Sequence, residues 1–430
     1  MSQHDNSYSR RQILGGLAAG GLLLGAPALV RAQQASAHVV VVGGGFGGAT
    51  AARYLRRYQP DVKITLVEPA RRFYTCPFSN LYLAGLKEWE SLGHGFDGLR
   101  KLGIEVIHAS AEQVDATAKT VKLSNGATLR WDKLVLSPGV DMQWNKLQGY
   151  DEAAAELAPH AWKAGPQTQL LKRQLAAMKD GGTFVMTIPE NPFRCPPGPY
   201  ERAAMVAHYF KQHKPKSKIL LLDAKTAFSK QALFMQGWKA LYGDMIEWVG
   251  QADDGEVVRV DARKRQVETA FGQIHQADVL NVIPPQKAGF IAERAGVTNG
   301  SGWVPVNGAT FESSQVRDVF VVGDATIAAP MPKSGFAANT QGKLVAAVIS
   351  AQLRGQALPQ ASFANTCYSL IGTDYGISVA GVYKAEGNKV IELPDSGGVS
   401  PLDADARFRR QEALYGEGWY RAITDDIWGA

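Results

Sequence analysis

"HVVVVGGGFGGATAARYLRRY", His38 to Tyr58, begins with an unbroken β-branched run. Such a run, with no polar alternation, marks a strand buried on both faces of a parallel sheet. The chain then turns through glycines into a segment whose Ala and Leu recur on one side, a predicted helix. Gly43, Gly45 and Gly48 form the G-x-G-x-x-G spacing. That spacing allows a tight turn, approach of a pyrophosphate to bare backbone, and close helix packing. The helix N-terminus then faces the phosphates. A second strand, "DVKITLVEP", ends in Glu68, about 20 residues past the last glycine, where a carboxylate can accept from ribose hydroxyls. A glycine-rich turn without a ligand is the bland alternative. Strand, helix and acid following in order speak against it.

Outward from this unit, "IEVIHASAEQVDATAKTVKLSNGATLRWDKLVLSPGVD" predicts a meander with a hairpin at Asn125-Gly126, then a buried strand, Lys133 to Leu136, broken at Pro138-Gly139. A second α/β unit follows over roughly 150–290. Its predicted strands are "GGTFVMTIPE" and "KSKILLLDAK", with "GPYERAAMVAHYFKQH" a helix between them. "VRDVFVVGDAT" is a later strand ending in Gly323-Asp324, and "KSGFAANTQGKLVAAVISAQL" an amphipathic helix. The last 80 residues hold short strand-like pieces around "YSLIGTDYGISVAGVYK" and a Trp-rich tail.

The chain has 430 residues, 45% hydrophobic and 20% charged, enough for two or three domains with sizeable cores. The net charge is +6, of which +2 falls in residues 1–37. The dispersed remainder does not argue for nucleic acid. "SRRQILGG" is a twin-arginine pair, followed by "LLLGAPALV" and small-residue cleavage options at "VRA" or "ASA". This is the layout of a twin-arginine export signal, and it predicts a periplasmic protein that folds around a cofactor before export. Gly15 stands where that signal usually has Lys. An uncleaved amphipathic anchor is the competing reading, and no other stretch approaches a transmembrane helix.

Export implies an oxidising compartment, where thiols pair unless otherwise occupied. Cys76, Cys195 and Cys367 are an odd number, so one is free or covalently committed. Their spacing fits neither a zinc knuckle nor a haem c attachment, and no metal site is expected.

Taken together, the N-terminal fingerprint, "WDKLVLSPG" and the late "GDA" resemble the two-dinucleotide-domain flavoprotein disulfide reductase superfamily, although relatives often have "ATG" for "SPG". The resemblance covers the chain from His38 onward. It implies an α/β fold: two Rossmann-like dinucleotide-binding domains (the FAD/NAD(P)-binding fold) plus a smaller C-terminal α+β domain. The expected divisions are a signal at 1–37, an FAD-binding domain at 38–150 and 290–350, a second Rossmann-like domain at 151–289, and a C-terminal domain at 351–430.

In that superfamily the late aspartate binds the ribityl chain of FAD, which assigns this role to Asp324 after Gly323. The following helix would direct its N-terminus at the pyrimidine end of the flavin. An ordinary strand-end turn is the alternative. Lys333 has two readings, a neighbour of the pyrimidine or a solvated lysine. The second domain usually binds NAD(P)H through its own glycine turn. Here that turn reads "TIPENPFRCPPGPYE", whose prolines remove amide donors that would cradle phosphate.

Cys195 in that turn narrows the resemblance to sulfide-oxidising members: sulfide:quinone oxidoreductases and the flavoprotein subunit of flavocytochrome c sulfide dehydrogenase. In both, two cysteines distant in sequence meet beside the flavin, and Cys367 in "FANTCYSLIG" is the natural partner. A purely structural disulfide closing about 170 residues is the competing reading. "YTCPFSN" resembles the flavocytochrome segment whose cysteine forms a thioether to the flavin 8α-methyl, which makes Cys76 the committed third cysteine rather than a small buried apolar residue. The resemblance thus implies sulfide oxidation to sulfur or polysulfide, with electrons passed to a c-type cytochrome subunit that carries the haem.

Glu201 is read either as a proton handler or as a helix-dipole acid, and Trp419 or Trp428 either as a cover for the sulfide pocket or as a core aromatic. The rival readings are a sulfide:quinone oxidoreductase, against which the charged tail "DADARFRRQEALYGEGWYRAITDDIWGA" is expected to lack an apolar stripe, a type II NADH dehydrogenase, and a non-catalytic flavin-containing electron carrier.

Overall fold

His38–Val42 is the central strand of a five-stranded parallel sheet in the order Val319–Val321, Lys133–Leu136, His38–Val42, Lys63–Val67, Glu105–Ile107. The computed structural model describes residues 37–144 and 146–429. The expected export segment, 1–37, therefore lies outside the described residues apart from Ala37. Val39, Val40 and Val41 are wholly buried, as a valine run between two covered faces requires. On one face the helix Phe46–Tyr58 packs against the helix Gly335–Leu353. In that contact Asn339 Nδ2 donates to Thr50 Oγ1 at 2.9 Å, so two buried polar side chains satisfy each other.

A second parallel sheet has the order Ile246–Val249, Lys218–Asp223, Thr183–Ile188, Val279–Val282. The helix Gly198–His213 follows its first strand. Between them, residues 189–197 form the turn that a dinucleotide fold uses for phosphate. The predicted hairpin at Asn125-Gly126 joins Thr120–Leu123 to Thr128–Arg130 within a three-stranded antiparallel meander, with Gly126 at φ +85°. Two doubly wound parallel units and a smaller C-terminal unit are the α/β architecture the sequence implied.

The C-terminal unit is more regular than expected. In place of short strand-like pieces, Ser362–Gly372 and Tyr375–Glu386 form one antiparallel pair of 11 and 12 residues, extended by Lys389–Glu392. Small and polar residues facing the cavity interrupt the apolar alternation that would have announced strands of that length. The Trp-rich tail is a single helix, Ala406–Trp428, capped by Asp405, whose carboxylate accepts from Phe408 N at 2.8 Å. Its end is pinned to the first domain, with Arg53 Nη1 donating to Gly429 O at 2.6 Å and Trp428 Nε1 to Gly44 O at 3.1 Å. Its outer face exposes Phe408, Leu414 and Tyr415, so the tail carries more apolar surface than its charge suggested.

Candidate active site

The glycine turn is built as the fingerprint demands. Gly43 has φ +101°, and a Cβ there would lie 2.2 Å from Ser137 O; a Cβ on Gly48 would lie 2.0 Å from Gly43 O. Gly45 is the N-cap of the helix Phe46–Tyr58, whose first turn carries no acid. Glu68 is buried against this turn, accepting from Gly44 N at 2.8 Å and Ala70 N at 2.9 Å.

One cavity runs from this turn to the cysteines. Phe46 and Gly47 line one end; Cys76, Cys195, Glu201, Gly323, Asp324, Lys333 and Cys367 line the rest. Seven sequence-predicted residues, far apart in the chain, therefore surround one space. Asp324 Oδ2 accepts from Arg194 Nε at 2.9 Å, whereas its Oδ1 is buried with no partner. An unsatisfied buried carboxylate oxygen is costly unless a ligand donor meets it. The helix Gly335–Leu353 opens its N-terminus on the same cavity through Ser334, Gly335 and Phe336. Glycine turn, orphaned carboxylate oxygen and helix N-terminus fit FAD, with the pyrophosphate at Gly43–Gly48 and the ribityl chain at Asp324.

Lys333 is not a solvated lysine. Its Nζ donates to the carbonyls of Asp324 at 2.8 Å and Thr326 at 2.7 Å and lies 3.8 Å from the centre of the Trp303 ring. Burial lowers its pKa to about 8. The ammonium is committed to tying its own loop together, and the residue's carbonyl accepts from Cys195 N at 2.9 Å.

The three cysteines are unbridged here and each is partly buried. Cys76 lies between the strand Phe73–Tyr74 and the helix Ser79–Ala84. Its neighbour Thr75 is tied to Tyr420 of the C-terminal helix, the two hydroxyls 2.7 Å apart, and Arg194 Nη1 donates to its sulfur at 3.0 Å. Cys195 has φ +57°, a left-handed conformation that costs a non-glycine residue energy and often marks a functional turn. It is held there by Lys333 O and by Gly198 N, which donates to Cys195 O at 2.8 Å. Cys367 sits mid-strand, and Asn365 Nδ2 lies 3.4 Å from its sulfur. Burial raises both thiol pKa values. Cys195 is driven further by the negative charges of Cys367 and Glu201, while Lys230 pulls Cys367 back.

Glu201 is partly buried between the helix Gly198–His213 and the strand Ser362–Gly372. It accepts from Leu370 N at 2.9 Å and Asn80 Nδ2 at 2.8 Å, and burial raises its pKa. The carboxyl thus reaches into the cysteine cavity besides sitting in the first turn of its helix. Trp419 lines the cavity and lies parallel to Phe336 at 6.3 Å; Trp428 does not, and instead stacks on Phe73 and His94.

Four polar residues at the site carried no local signal: Arg194, Arg202, Lys230 and Asn365. Arg202 is fully buried and donates to Asn80 Oδ1, Asn281 Oδ1 and the carbonyls of His160 and Ala161. Only Arg194, adjacent to Cys195, could have been suspected from position.

The second sheet offers a contrast to Glu68. Asp223 ends its second strand and is wholly buried, accepting from Tyr200 Oη at 2.6 Å, Trp248 Nε1 at 2.9 Å and Lys225 Nζ at 2.5 Å. Tyr200 stacks on Phe228 at 3.6 Å. Side chains of this protein consume the carboxylate that such a fold would offer to a ribose. Among the described residues no group of three or more His, Cys, Asp or Glu is placed to hold a metal ion, and no helix is long and apolar enough to cross a membrane.

Three family descriptions match the chain: "Pyridine nucleotide-disulphide oxidoreductase" over residues 37–177, "Sulfide dehydrogenase [flavocytochrome c] flavoprotein chain, central" over 168–284, and "Flavocytochrome c sulphide dehydrogenase, flavin-binding" over 359–428. The flavoprotein chain of sulfide dehydrogenase (flavocytochrome c) from Chlorobaculum thiosulfatiphilum is 67% identical over 42 residues, 10% of this chain and 88% of that short one. Sulfide-quinone reductase of Aquifex aeolicus is 27% identical over 69% of this chain and 70% of its own. Mitochondrial sulfide:quinone oxidoreductase of Mus musculus is 24% identical over 67% of this chain, and the match spans 65% of the mouse protein. The X-ray structure of the Aquifex aeolicus sulfide:quinone oxidoreductase superposes with a TM-score of 0.68 at 21% identity, covering 92% of this chain and 93% of that one.

Proposed function

Because the chain belongs to the flavoprotein family of flavocytochrome c sulfide dehydrogenase, we propose that it oxidises sulfide through a Cys195–Cys367 disulfide and FAD and passes the electrons to a c-type cytochrome subunit. The observation that carries this reading is the convergence of Cys195, Cys367 and Cys76 on the cavity that also holds Asp324. FAD held at Gly43–Gly48 and Asp324 would supply an acceptor for the cysteines' electron pair that can pass electrons on singly.

The remaining chemistry is done by the chain. Hydrosulfide attacks one sulfur of the disulfide; a new S–S bond forms, the old one breaks, and a protonated persulfide and a thiolate result. A second hydrosulfide attacks the outer persulfide sulfur, releasing the HSS⁻ anion and leaving a cysteine thiol. Two hydrosulfides have then lost two electrons, and the cysteine pair holds them. Glu201, which lines the same cavity as both sulfurs and has a raised pKa, is placed to carry the proton between these steps.

Cys76 is committed to a thioether with the flavin, which leaves the other two cysteines free to pair. The Asp223 pocket, filled by Tyr200, Lys225 and Trp248, supports a second domain that takes no NADH. We place the protein in the periplasm, exported by the twin-arginine route with its cofactor aboard.

The rival acceptor is a membrane quinone, and the exposed Phe408, Leu414 and Tyr415 on the C-terminal helix favour it. Anaerobic, sulfide-dependent reduction of a soluble c-type cytochrome, compared with that of a short-chain quinone, separates the two. Faster quinone reduction would replace the cytochrome reading. No sulfide-dependent turnover with either acceptor would leave a non-catalytic flavin carrier.

A further inference from the structure

The two cysteines that share the cavity are not equivalent, and the difference assigns the entry point of sulfide. Asn365, Cys367 and Ser369 alternate along the strand Ser362–Gly372, so their side chains share one face. Asn365 lies side-on to Cys367 Sγ, with Nδ2 at 3.4 Å and Oδ1 at 3.6 Å; Ser334 Oγ donates to Oδ1 at 2.5 Å, so Oδ1 already has a donor and Nδ2 is the group left to donate to the sulfur. Lys230 Nζ lies on the same face, donating to Ser369 Oγ at 2.8 Å and to Cys367 O at 3.0 Å. Lys230 is itself buried and has φ +61°, so the backbone is bent to deliver the ammonium there.

Nothing comparable serves Cys195. Among the described residues no hydrogen bond reaches its sulfur, and the Gly198 Cα packs so close that a Cβ there would lie 3.0 Å from Sγ. The Glu201 carboxyl, in the first turn of the helix that follows it, lines the same cavity.

Resting on the function proposed above, we infer that Cys367 is the sulfur that leaves as thiolate and Cys195 the sulfur that receives sulfide, with Lys230 and Asn365 as the positioning residues that set this direction. In thiol–disulfide exchange the sulfur better able to hold negative charge leaves faster. An amide donor and a buried ammonium supply that ability at Cys367, whereas the Cys195 sulfur has no hydrogen-bond donor and faces the Glu201 carboxyl, and the Arg202 guanidinium in the same cavity is spent on Asn80, Asn281 and two carbonyls. The step balances: hydrosulfide bonds to Cys195 Sγ, the Cys195–Cys367 bond breaks, and its electron pair stays on Cys367. Burial raises both thiol pKa values, and Lys230 is the strongest influence opposing the rise at Cys367, in agreement with the geometry. The other titratable groups facing this arrangement are Glu201 and Arg202 of the helix Gly198–His213, Glu412 of the C-terminal helix and Tyr383 of the neighbouring strand.

The test uses the oxidised, flavin-loaded full chain. It is mixed anaerobically with one equivalent of sulfide, quenched in acid, alkylated, digested and mapped by mass. The expected result is one extra sulfur atom on the peptide that begins at Cys195. An extra sulfur on the Cys367 peptide, or equally on both, overturns the inference while leaving the proposed function intact. An extra sulfur on neither overturns both.

Two variants separate positioning from mere folding. In Lys230→Met the pH midpoint for sulfide-driven reduction should rise by about one pH unit, with Lys230→Arg restoring it. Asn365→Ala should shift it in the same direction by less. A pH profile unmoved in folded Lys230→Met or Asn365→Ala protein overturns the assignment.

Discussion

The Arg194 guanidinium joins Cys76 to Asp324, with Nη1 donating to the Cys76 sulfur at 3.0 Å and Nε to Asp324 Oδ2 at 2.9 Å. It is partly buried, and Trp162 O is its third partner, at 3.2 Å. A cation aimed at a sulfur steadies charge that builds there when the sulfur acts as a nucleophile. Arg194→Met should therefore slow flavin attachment by about 10- to 100-fold, the usual range for losing a hydrogen bond to a charged group. Acid precipitation followed over time reads this directly, as the fraction of yellow colour that stays with the polypeptide. Cys76→Ser should leave none attached.

Asp324 makes a separate prediction, because its Oδ1 is buried without a partner. In the Cys76→Ser background, where binding is reversible, Asp324→Ala should weaken FAD affinity by about 10- to 100-fold. Fluorescence titration of the apoprotein with FAD measures it. An unchanged dissociation constant would mean that the free oxygen does not face the ribityl chain.

These residues also mark where sequence reading succeeds and where it stops. Gly43, Gly48 and Glu68 are legible because their roles are local: a turn, a close approach and a strand end within one βα unit. The α/β fold follows from the valine and leucine runs, which have no alternative to burial on both faces. Cys195 stands out because prolines surround it where glycines are usual. Lys230 and Asn365 are silent, since a lysine before a helix acquires meaning only when the fold brings it to Cys367, and an asparagine two residues from that cysteine only when Ser334 holds its amide in place. Lys333 has two readings in the sequence for a related reason: only the fold shows that it lines the cavity and that its ammonium turns inward to two carbonyls of its own loop. The tail reads as charged because its apolar residues are spaced for a helix with both a buried and an exposed face.

His160 predicts a pH dependence of stability. Its Nδ1 accepts from Trp162 N at 2.9 Å, and burial, followed by Arg202 and other nearby cations, holds its pKa down at about 3. The unfolded chain takes up this proton near pH 6.5, well before the folded one, so stability present above that value is lost as pH falls. By pH 5 the loss from this group should be about 2 kcal/mol. His160→Asn keeps an acceptor for the amide two residues on, as in an Asx turn, but cannot titrate. Denaturant unfolding at pH 7 and pH 5 should show the variant losing about 2 kcal/mol less than wild type. Parallel losses would mean that His160 does not stay neutral in the folded protein.

Asp223 predicts an asymmetry between stability and specificity. Three donors converge on a carboxylate with no exposure, and one of them is the Lys225 ammonium. Asp223→Asn removes the charge that compensates a buried cation, and the expected cost is about 3–5 kcal/mol. A loss of that size is measurable as a shift in the denaturant midpoint. NADH should leave the flavin oxidised in wild type and variant alike, since Tyr200 and Phe228 still fill the site. Rapid bleaching by NADH in either would show that the second domain retains a dinucleotide site.

Trp428, the last residue of the C-terminal helix, sits against the glycine turn. Its ring packs edge-on against Phe46 at 5.3 Å and stacks on Phe73 at 5.4 Å and His94 at 4.9 Å, while Nε1 donates to Gly44 O at 3.1 Å. Gly44 lies inside the glycine turn, and its amide is already held by Glu68. The last helix therefore braces the loop that has to meet a pyrophosphate. Removing the ring in Trp428→Ala should cost about 3–5 kcal/mol of stability through the cavity left behind. Trp428→Phe keeps most of the stacking and loses only the hydrogen bond, at about 1 kcal/mol. If bracing matters beyond stability, the Phe variant in the Cys76→Ser background should bind FAD several-fold more weakly, under conditions where the protein is fully folded. Unchanged affinity in that variant would reduce Trp428 to a core aromatic, because the Gly44 bond is the one contact the substitution removes outright.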